Sequence, residues 1–481
     1  MYENLHLHHE SPLYLQIKGY IKDQIMQGVL QAGARLPATR ELAAMLKVGR
    51  NTVILAYQDL EDDGLIRQVR GQGAFVTRIE TKPGKPVRFD WEEMIVLGAR
   101  LATELDIEKK EIRWEKGLLS FKSISPDGRL FGTHAFKRAF LDRFALEGEK
   151  LLNYGYAKGY RPLNDYLLRY LQQKGVNPAG KDILITNGFT EAFNLVLRAL
   201  TQPGDTVVCE NPTHNTALKI MRLAGLNIEG IPMRDDGPDA AVLERILSRQ
   251  KVKLGFLIPS YHNPTGLVMP FEKRLAIVAL FNRFGAPLVE DGFNEELRFS
   301  GSHVAPLIAL AGEGNNITYL GSFSKILFPG LRIGWIMGDQ TLIGHLESMK
   351  RSLNIHTSFL DQAILYEYLH SGQFEKYLKK ARKYYREKHQ TAMDLAVKYI
   401  PHRKIWGEGG LHILIEMERL NARDVLAACH RRGVIFMPGD IFFADGSGQN
   451  FFRLGISRVG PAEMEQGFRI IGEVMKAMDN K

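Results

Sequence analysis

Two cysteines, Cys209 and Cys429, are all that the 481 residues contain. A disulfide framework is excluded, and a reducing compartment is expected. Long apolar runs are also missing. The longest uncharged ones, such as Leu275 to Phe281, fall far short of the ~20 residues that span a bilayer. The opening MYENLHLHHESP has neither a basic nor an apolar leader region, so no secretion signal is expected and a cytoplasmic protein is. There is no internal repeat and no low-complexity stretch. What is present is ordinary: 45% hydrophobic and 24% charged residues exclude a mainly disordered, collagen-like or fibrous chain. At ~150 residues per domain the length predicts about three folded units.

Charge is plentiful and nearly balanced, 63 Lys and Arg against 54 Asp and Glu, leaving +9. Its placement is more telling than its sum. Arg35, Arg40, Lys47 and Arg50 stand near one acid, Glu41, and three bases without an acid follow between Gly64 and Arg78. The acids cluster instead at Asp59, Glu61, Asp62 and Asp63, so a basic and an acidic face are expected. Residues 11–78 read as a winged helix-turn-helix, an α+β unit. Leu13, Ile17, Tyr20, Ile21 and Ile25 recur at helical spacing, and Thr39, after Pro37, is the expected N-cap of a short second helix. The third helix turns Val53, Tyr57 and Leu60 inward and stops at Gly64. LIRQV and AFVT then flank the turn RGQG as two short strands. In such a unit the third helix enters the major groove by its N-terminal end, which makes Arg50, Asn51 and Thr52 candidate DNA contacts. Arg70 and Gly71 at the wing tip are further candidates, because the glycines Gly71 and Gly73 permit close approach and an arginine can enter the minor groove.

Composition shifts over 79–116. TKPGKP reads as a linker, followed by a helix with Trp91, Met94, Ile95 and Leu101 on one side. As flexible coil this tether would span roughly 30 Å. Over 117–481 the strands ILIT, TVVCE, KLGFLIP, APLVED and ITYLGSF alternate with helical patterns, which predicts an α/β unit with a mostly parallel sheet. From about residue 359 to 481, two charged helices and the runs HILIEM, VIFMPG and FFRLGI suggest a smaller α+β subdomain.

The chemistry concentrates in GSFSKILFPGLRIGW. Lys325 is placed to form a Schiff base with an aldehyde, while Ser322, Ser324 and Arg332 offer hydroxyls and a permanent charge to a phosphate dianion. In TNGFTEAF, Gly188 ends a strand where a helix begins, so the N–H groups of Phe189 and Thr190 can point at a phosphate. His214 of ENPTH can stack on a flat heteroaromatic ring. Asn263 of HNPTG offers an amide to a phenolate oxygen. Asp291, closing APLVED, can keep a pyridine nitrogen protonated. No metal site is expected; His6, His8 and His9 read as a polar terminus.

Together these motifs resemble the fold-type-I pyridoxal-phosphate enzymes of the aminotransferase class I/II group. With RLPATRELAAMLKVGRNTVILAYQDLEDDGLI and GQGAFV ahead of them, the whole chain resembles the MocR/GabR family of GntR-type bacterial regulators. The resemblance implies pyridoxal 5'-phosphate as cofactor, with Lys325 as its Schiff-base lysine, Asp291 on the pyridine nitrogen and Asn263 on the phenolic oxygen. It adds Arg40 to the DNA contacts. Tyr154, in LNYGYAKGY, would reach the phosphate of a neighbouring subunit's cofactor, and Arg453, in NFFRLGIS, would receive a substrate or effector carboxylate. It further implies double-stranded operator DNA as partner, a domain-swapped homodimer without membrane attachment, and an amine or amino-acid effector. That effector would form an external aldimine at Lys325 and alter operator binding. Two departures stand out. Asp291-Gly292-Phe293 lacks the tyrosine common in the family, and His214 stands where a stacking tyrosine is common. Cofactor binding is expected to survive and the domain to serve sensing, with transamination weak or partial. The alternative is a catalytically active aminotransferase carrying a DNA-binding head.

Overall fold

The computed structural model describes residues 11–77, 88–292, 295–299 and 303–479, with Tyr2, Leu5, Leu7 and His8. Expectations resting on TKPGKP, Phe293, His6 and His9 lie outside the described residues. Contacts divide the chain into two units, Met1–Ile95 and Val96–Lys481.

In the first unit, α1 (Leu13–Met26), α2 (Thr39–Leu46) and α3 (Arg50–Asp62) precede an antiparallel hairpin of β1 (Ile66–Val69) and β2 (Gly73–Val76). The apolar spacing explains the packing. Ile17, Ile21 and Ile25 of α1 meet Leu42 of α2 and Val53, Tyr57 and Leu60 of α3 in one core, and the buried Tyr57 hydroxyl donates to the Pro37 carbonyl at 2.9 Å. Thr39 is not the N-cap of α2 but its first helical residue. Ala38 takes the cap position, where it has no side-chain acceptor, and the Glu41 carboxylate accepts from the Ala38 N–H at 3.3 Å. The acidic end of α3 is neutralised from α1: Lys18 lies 3.4 Å from Asp59 and 3.2 Å from Asp63.

The second unit is built on an eight-stranded sheet. Its strands are β3 (Lys181–Thr186), β4 (Thr206–Asn211), β5 (Asn227–Arg234), β6 (Gly237–Pro238), β7 (Leu254–Leu257), β8 (Leu288–Asp291), β9 (Ile317–Ser322) and β10 (Gly334–Asp339). They lie in the order β3-β10-β9-β8-β7-β4-β5-β6. The five strands from β9 to β5 run parallel, while β10 runs against both β9 and β3, and β6 against β5. Alternate residues enter different cores: Ile183, Ile185 and Val208 pack on one face, Leu184, Val207 and Cys209 on the other. A sheet covered on both sides is what near-continuous apolar strands require.

A second, four-stranded antiparallel sheet joins Lys404–Trp406, His412–Glu416, Phe451–Gly455 and Met437–Pro438. Leu119–Ser120 pairs in parallel with Val434–Ile435, and Phe121 enters the core of this smaller subdomain. The chain thus contributes to the subdomain before it has built the large sheet. Among the described residues no helix is long and apolar enough to cross a membrane.

Candidate functional site

Ligands of α/β sheets bind beyond the carboxyl ends of parallel strands, and the candidate residues gather there. Asp291 is the last residue of β8 and is buried. Lys325 follows β9, Asn263 lies in the loop after β7, and His214 precedes α5 (Asn215–Leu223) in the loop after β4. Phe189 and Thr190 open the helix α4 (Phe189–Leu200), with Gly188 before them at φ +86°. A side chain would be strained at that φ, and the space is taken: a Cβ at Gly188 would lie 2.9 Å from Nη2 of Arg332. Arg332 itself adopts a left-handed φ of +52°, and its Nη2 donates to the Asn187 carbonyl at 2.7 Å. A Cβ at Gly334 would come within 2.8 Å of both Gly188 and Gly321. Glycine at these positions therefore lets an exposed guanidinium lie against the amino end of a helix, a geometry suited to a phosphate. Beside it the Ser324 N–H donates to Ser322 Oγ at 3.2 Å.

The ring side has its own signature. Arg453 Nη1 donates to Asn263 Oδ1 at 2.8 Å, which orients the amide. Asn263 Nδ2 is then buried and without a hydrogen-bond partner among the described residues. A buried amide donor left open is costly, and a phenolate oxygen would satisfy it. The rings of His214 and Phe189 lie 5.1 Å apart, inclined at 49°. Burial first, then the charges of Lys325 and Arg453, depress His214 to about 3, so its ring is neutral. Burial also lowers the Lys325 amine to about 8, helped by Arg453, Arg458 and Arg332. Arg453 is buried, lowered to about 9 by that burial, and rests 4.8 Å over the Phe442 ring. These features fit a planar ring that carries a phosphate and a phenolic oxygen.

A cavity of about 790 Å³ opens beside this cluster, with Lys325 and Arg453 on its inner side. Its outer wall includes Leu105, Ile107 and Trp114, from the segment the sequence presents as a tether. Tyr154 lies apart at the surface, 81% exposed, its ring edge-on to His356 at 6.0 Å.

Two buried groups escape a motif reading. Glu210 of ENPTH is fully buried and pushed up to about 8, chiefly by desolvation, with Asp291 adding to the rise. Its Oε1 accepts from the Ile258 N–H at 2.8 Å, and its Oε2 lies 3.9 Å from His262 Nε2. His262, lowered to about 3 by burial, is the neighbour of Asn263. Both stand inside the motifs, hidden by the residue beside them. Among the described residues no group of three or more His, Cys, Asp or Glu side chains is arranged to hold a metal.

In the first unit Arg40, Arg50, Asn51, Arg70 and Gly71 are exposed and Thr52 half-buried. Arg50 Nε reaches Thr39 Oγ1 at 3.5 Å, joining the start of α3 to the start of α2. At the wing, a Cβ on Gly71 would meet nothing, whereas one on Gly73 would lie 3.2 Å from Arg35 Nε. Gly71 thus leaves open approach, while Gly73 makes room for Arg35.

Residues 127–471 match the family model described as aminotransferase class I and II, and residues 13–76 that of bacterial regulatory proteins of the gntR family. The chain is 30% identical to YisV of Bacillus subtilis, an uncharacterized HTH-type transcriptional regulator, over 98% of this chain and 97% of that one. It is 27% identical to the probable rhizopine catabolism regulatory protein MocR of Rhizobium meliloti, over 98% and 95% of the two chains. Among solved structures it resembles LysN of Thermus thermophilus, an alpha-aminoadipate aminotransferase complexed with N-(5'-phosphopyridoxyl)-L-leucine. That likeness has a TM-score of 0.76 and 30% identity, over 82% of this chain and all of that one.

Proposed function

The chain belongs to the aminotransferase class I and II family and carries a gntR-family head, the arrangement of MocR/GabR transcriptional regulators, and from this premise we propose a regulator that holds pyridoxal 5'-phosphate and answers to a primary amine. One observation carries the reading: the open Asn263 donor, fixed by Arg453, beside Lys325 and the Gly188–Arg332 cradle. When bound, the cofactor supplies an aldehyde that exchanges amines reversibly and a ring that withdraws electrons.

The protein's own groups do the rest. Lys325, lowered to about 8, is neutral in roughly a tenth of molecules at pH 7, far more than an ordinary lysine, and so can act as a nucleophile. Asp291, buried at the end of β8, would pair with the ring nitrogen and keep it protonated. Arg332, Ser322, Ser324 and the N–H groups of Phe189 and Thr190 would hold the phosphate, and His214 would stack on the ring. Arg453 receives the effector's carboxylate. Tyr154 on the surface suits contact with a second copy in a domain-swapped homodimer. Operator DNA is held by Arg40, Arg50, Asn51 and Thr52, with Arg70 and Gly71 at the wing, and the protein works in the cytoplasm.

Borohydride reduction of the cofactor-loaded protein should fix one cofactor mass on Lys325, and Lys325→Ala should fix none. A wild-type protein that gains no mass would overturn the reading. Amino acid added to the loaded protein should change both the cofactor spectrum and operator affinity. Accumulation of pyridoxamine phosphate with free keto acid would instead identify a working aminotransferase.

A further inference from the structure

A second cavity, of about 350 Å³, shares no lining residue with the one beside Lys325. Pro212, Met233 and Thr265 form one wall, from the part of the unit built on the large sheet. Trp406, Phe443 and Phe451 form the other, from the smaller subdomain. Pro212 and Thr265 belong to ENPTH and HNPTG, so the cavity adjoins both motif loops. An apolar cavity of roughly 150 Å³ already accepts benzene, and this one has room for a substituted ring.

Its charge is one-sided. Two carboxylates, Glu416 and Asp445, belong to the lining, and no basic side chain does among the described residues. Glu416 is already engaged: it accepts from Trp406 Nε1 at 3.3 Å and lies 3.4 Å from Arg403. Asp445 is held in place but not neutralised. It accepts from the Ser447 N–H at 3.0 Å, from Ser447 Oγ at 2.6 Å and from Asn211 Nδ2 at 3.0 Å. All three donors are uncharged, and Asp445 has no ion-pair partner among the described residues. Lys404, outside the lining, shows what suits the rings, since its Nζ lies 3.2 Å from the Trp406 ring centre. A cation over an aromatic face is attracted by the ring quadrupole. An anion would be repelled by both carboxylates, and a compact inorganic cation would make no use of the aromatic walls.

We propose that this cavity is a second ligand site, for an organic ammonium ion with an aromatic body. The charged nitrogen sits between Asp445 and the rings of Trp406, Phe443 and Phe451, and the apolar body fills the space beside Met233. Because the two walls come from the large-sheet part and from the smaller subdomain, an occupant ties them together without touching Lys325 or Arg453. The site does not rest on the amine chemistry at Lys325.

Benzyltrimethylammonium separates this site from the cofactor, because its quaternary nitrogen cannot condense with an aldehyde. Titration calorimetry of the full-length, cofactor-loaded protein should show one saturable site with a dissociation constant of about 1 mM or tighter. Benzyl alcohol, the neutral comparison, should bind about tenfold more weakly. Asp445→Asn keeps an acceptor for Asn211 Nδ2 and should weaken the cation about fivefold, and Trp406→Leu about tenfold. Both variants should keep the wild-type cofactor spectrum, which reports that they fold. Occupying the first cavity with aminooxyacetate should leave the affinity unchanged. The cofactor-free protein should bind the cation equally well, so a failure of the cofactor assignment leaves this test intact. No saturable heat up to about 10 mM, equal affinity for benzyl alcohol, wild-type affinity in both variants, or displacement by aminooxyacetate would each overturn the inference.

Discussion

At Lys325 the same burial that makes the amine reactive makes it a burden on the fold. Its folded value, about 8, lies below the ordinary 10.5, so below pH 8 folding must confine a charge among Arg453, Arg458 and Arg332. The cost is fully present below pH 8 and vanishes as pH rises past 10.5. Lys325→Met should therefore stabilise the cofactor-free protein at pH 7 by on the order of 1 to 3 kcal/mol, with the gain shrinking between pH 8 and 10.5 in denaturant titrations. Glu210 is the converse. Its carboxyl, raised from 4.5 to about 8, is protonated at low pH without penalty and costs progressively more as pH rises through that window. Glu210→Gln keeps an acceptor for the Ile258 N–H, so its stability should match wild type near pH 4.5 and exceed it above pH 8. That Lys325, Asp291 and Asn263 would come together was legible because rare chemistry needs rare combinations of residue types, and the fold gathers all three beyond the carboxyl ends of the strands. The need for Gly188 was not, because the atom that fills its space belongs to Arg332, far along the chain.

Elements were legible where period and punctuation agree. The strands β3, β4, β7, β8 and β9 announce themselves as apolar runs that end in turns, and α1 and α3 by their inward-facing spacing. β5 does not. It contains Gly230 and Pro232, which suppress a strand signal, and glycine is needed there because a Cβ would lie 2.8 Å from the Asn211 side chain. β10 begins where the motif read for its chemistry ends, at Gly334 and Trp335, and nothing in GWIMGD says that it runs against its neighbours. The start of α2 was misplaced by one residue because Thr39 is a good cap by type, whereas the chain turns into helix already after Ala38. Ala38→Ser should supply the missing acceptor and stabilise the first unit by about 1 kcal/mol, visible as a higher melting temperature of that unit's transition.

At the scale of the whole molecule, the order of motifs revealed a DNA-binding head ahead of a cofactor fold. The pairing of Leu119–Ser120 with Val434–Ile435 and the wall at 105–114 could not be read, because both depend on contacts between stretches that share no local pattern. Two substitutions separate the halves. Arg50→Ala removes an exposed guanidinium from the amino end of α3, so operator affinity should fall by ~1–3 kcal/mol if it reads a base edge. If it holds a phosphate, the slope of log affinity against log salt should flatten by ~0.9. Either way the cofactor spectrum should match wild type, since Arg50 belongs to a unit with its own core. Lys325→Ala should do the reverse: gel shifts should give one operator midpoint with and without amino acid, because a ligand changes a DNA equilibrium only by its differential affinity for two states. A wild-type midpoint for Arg50→Ala would remove α3 from the groove, and an amino-acid response in Lys325→Ala would place the sensing chemistry elsewhere in the protein.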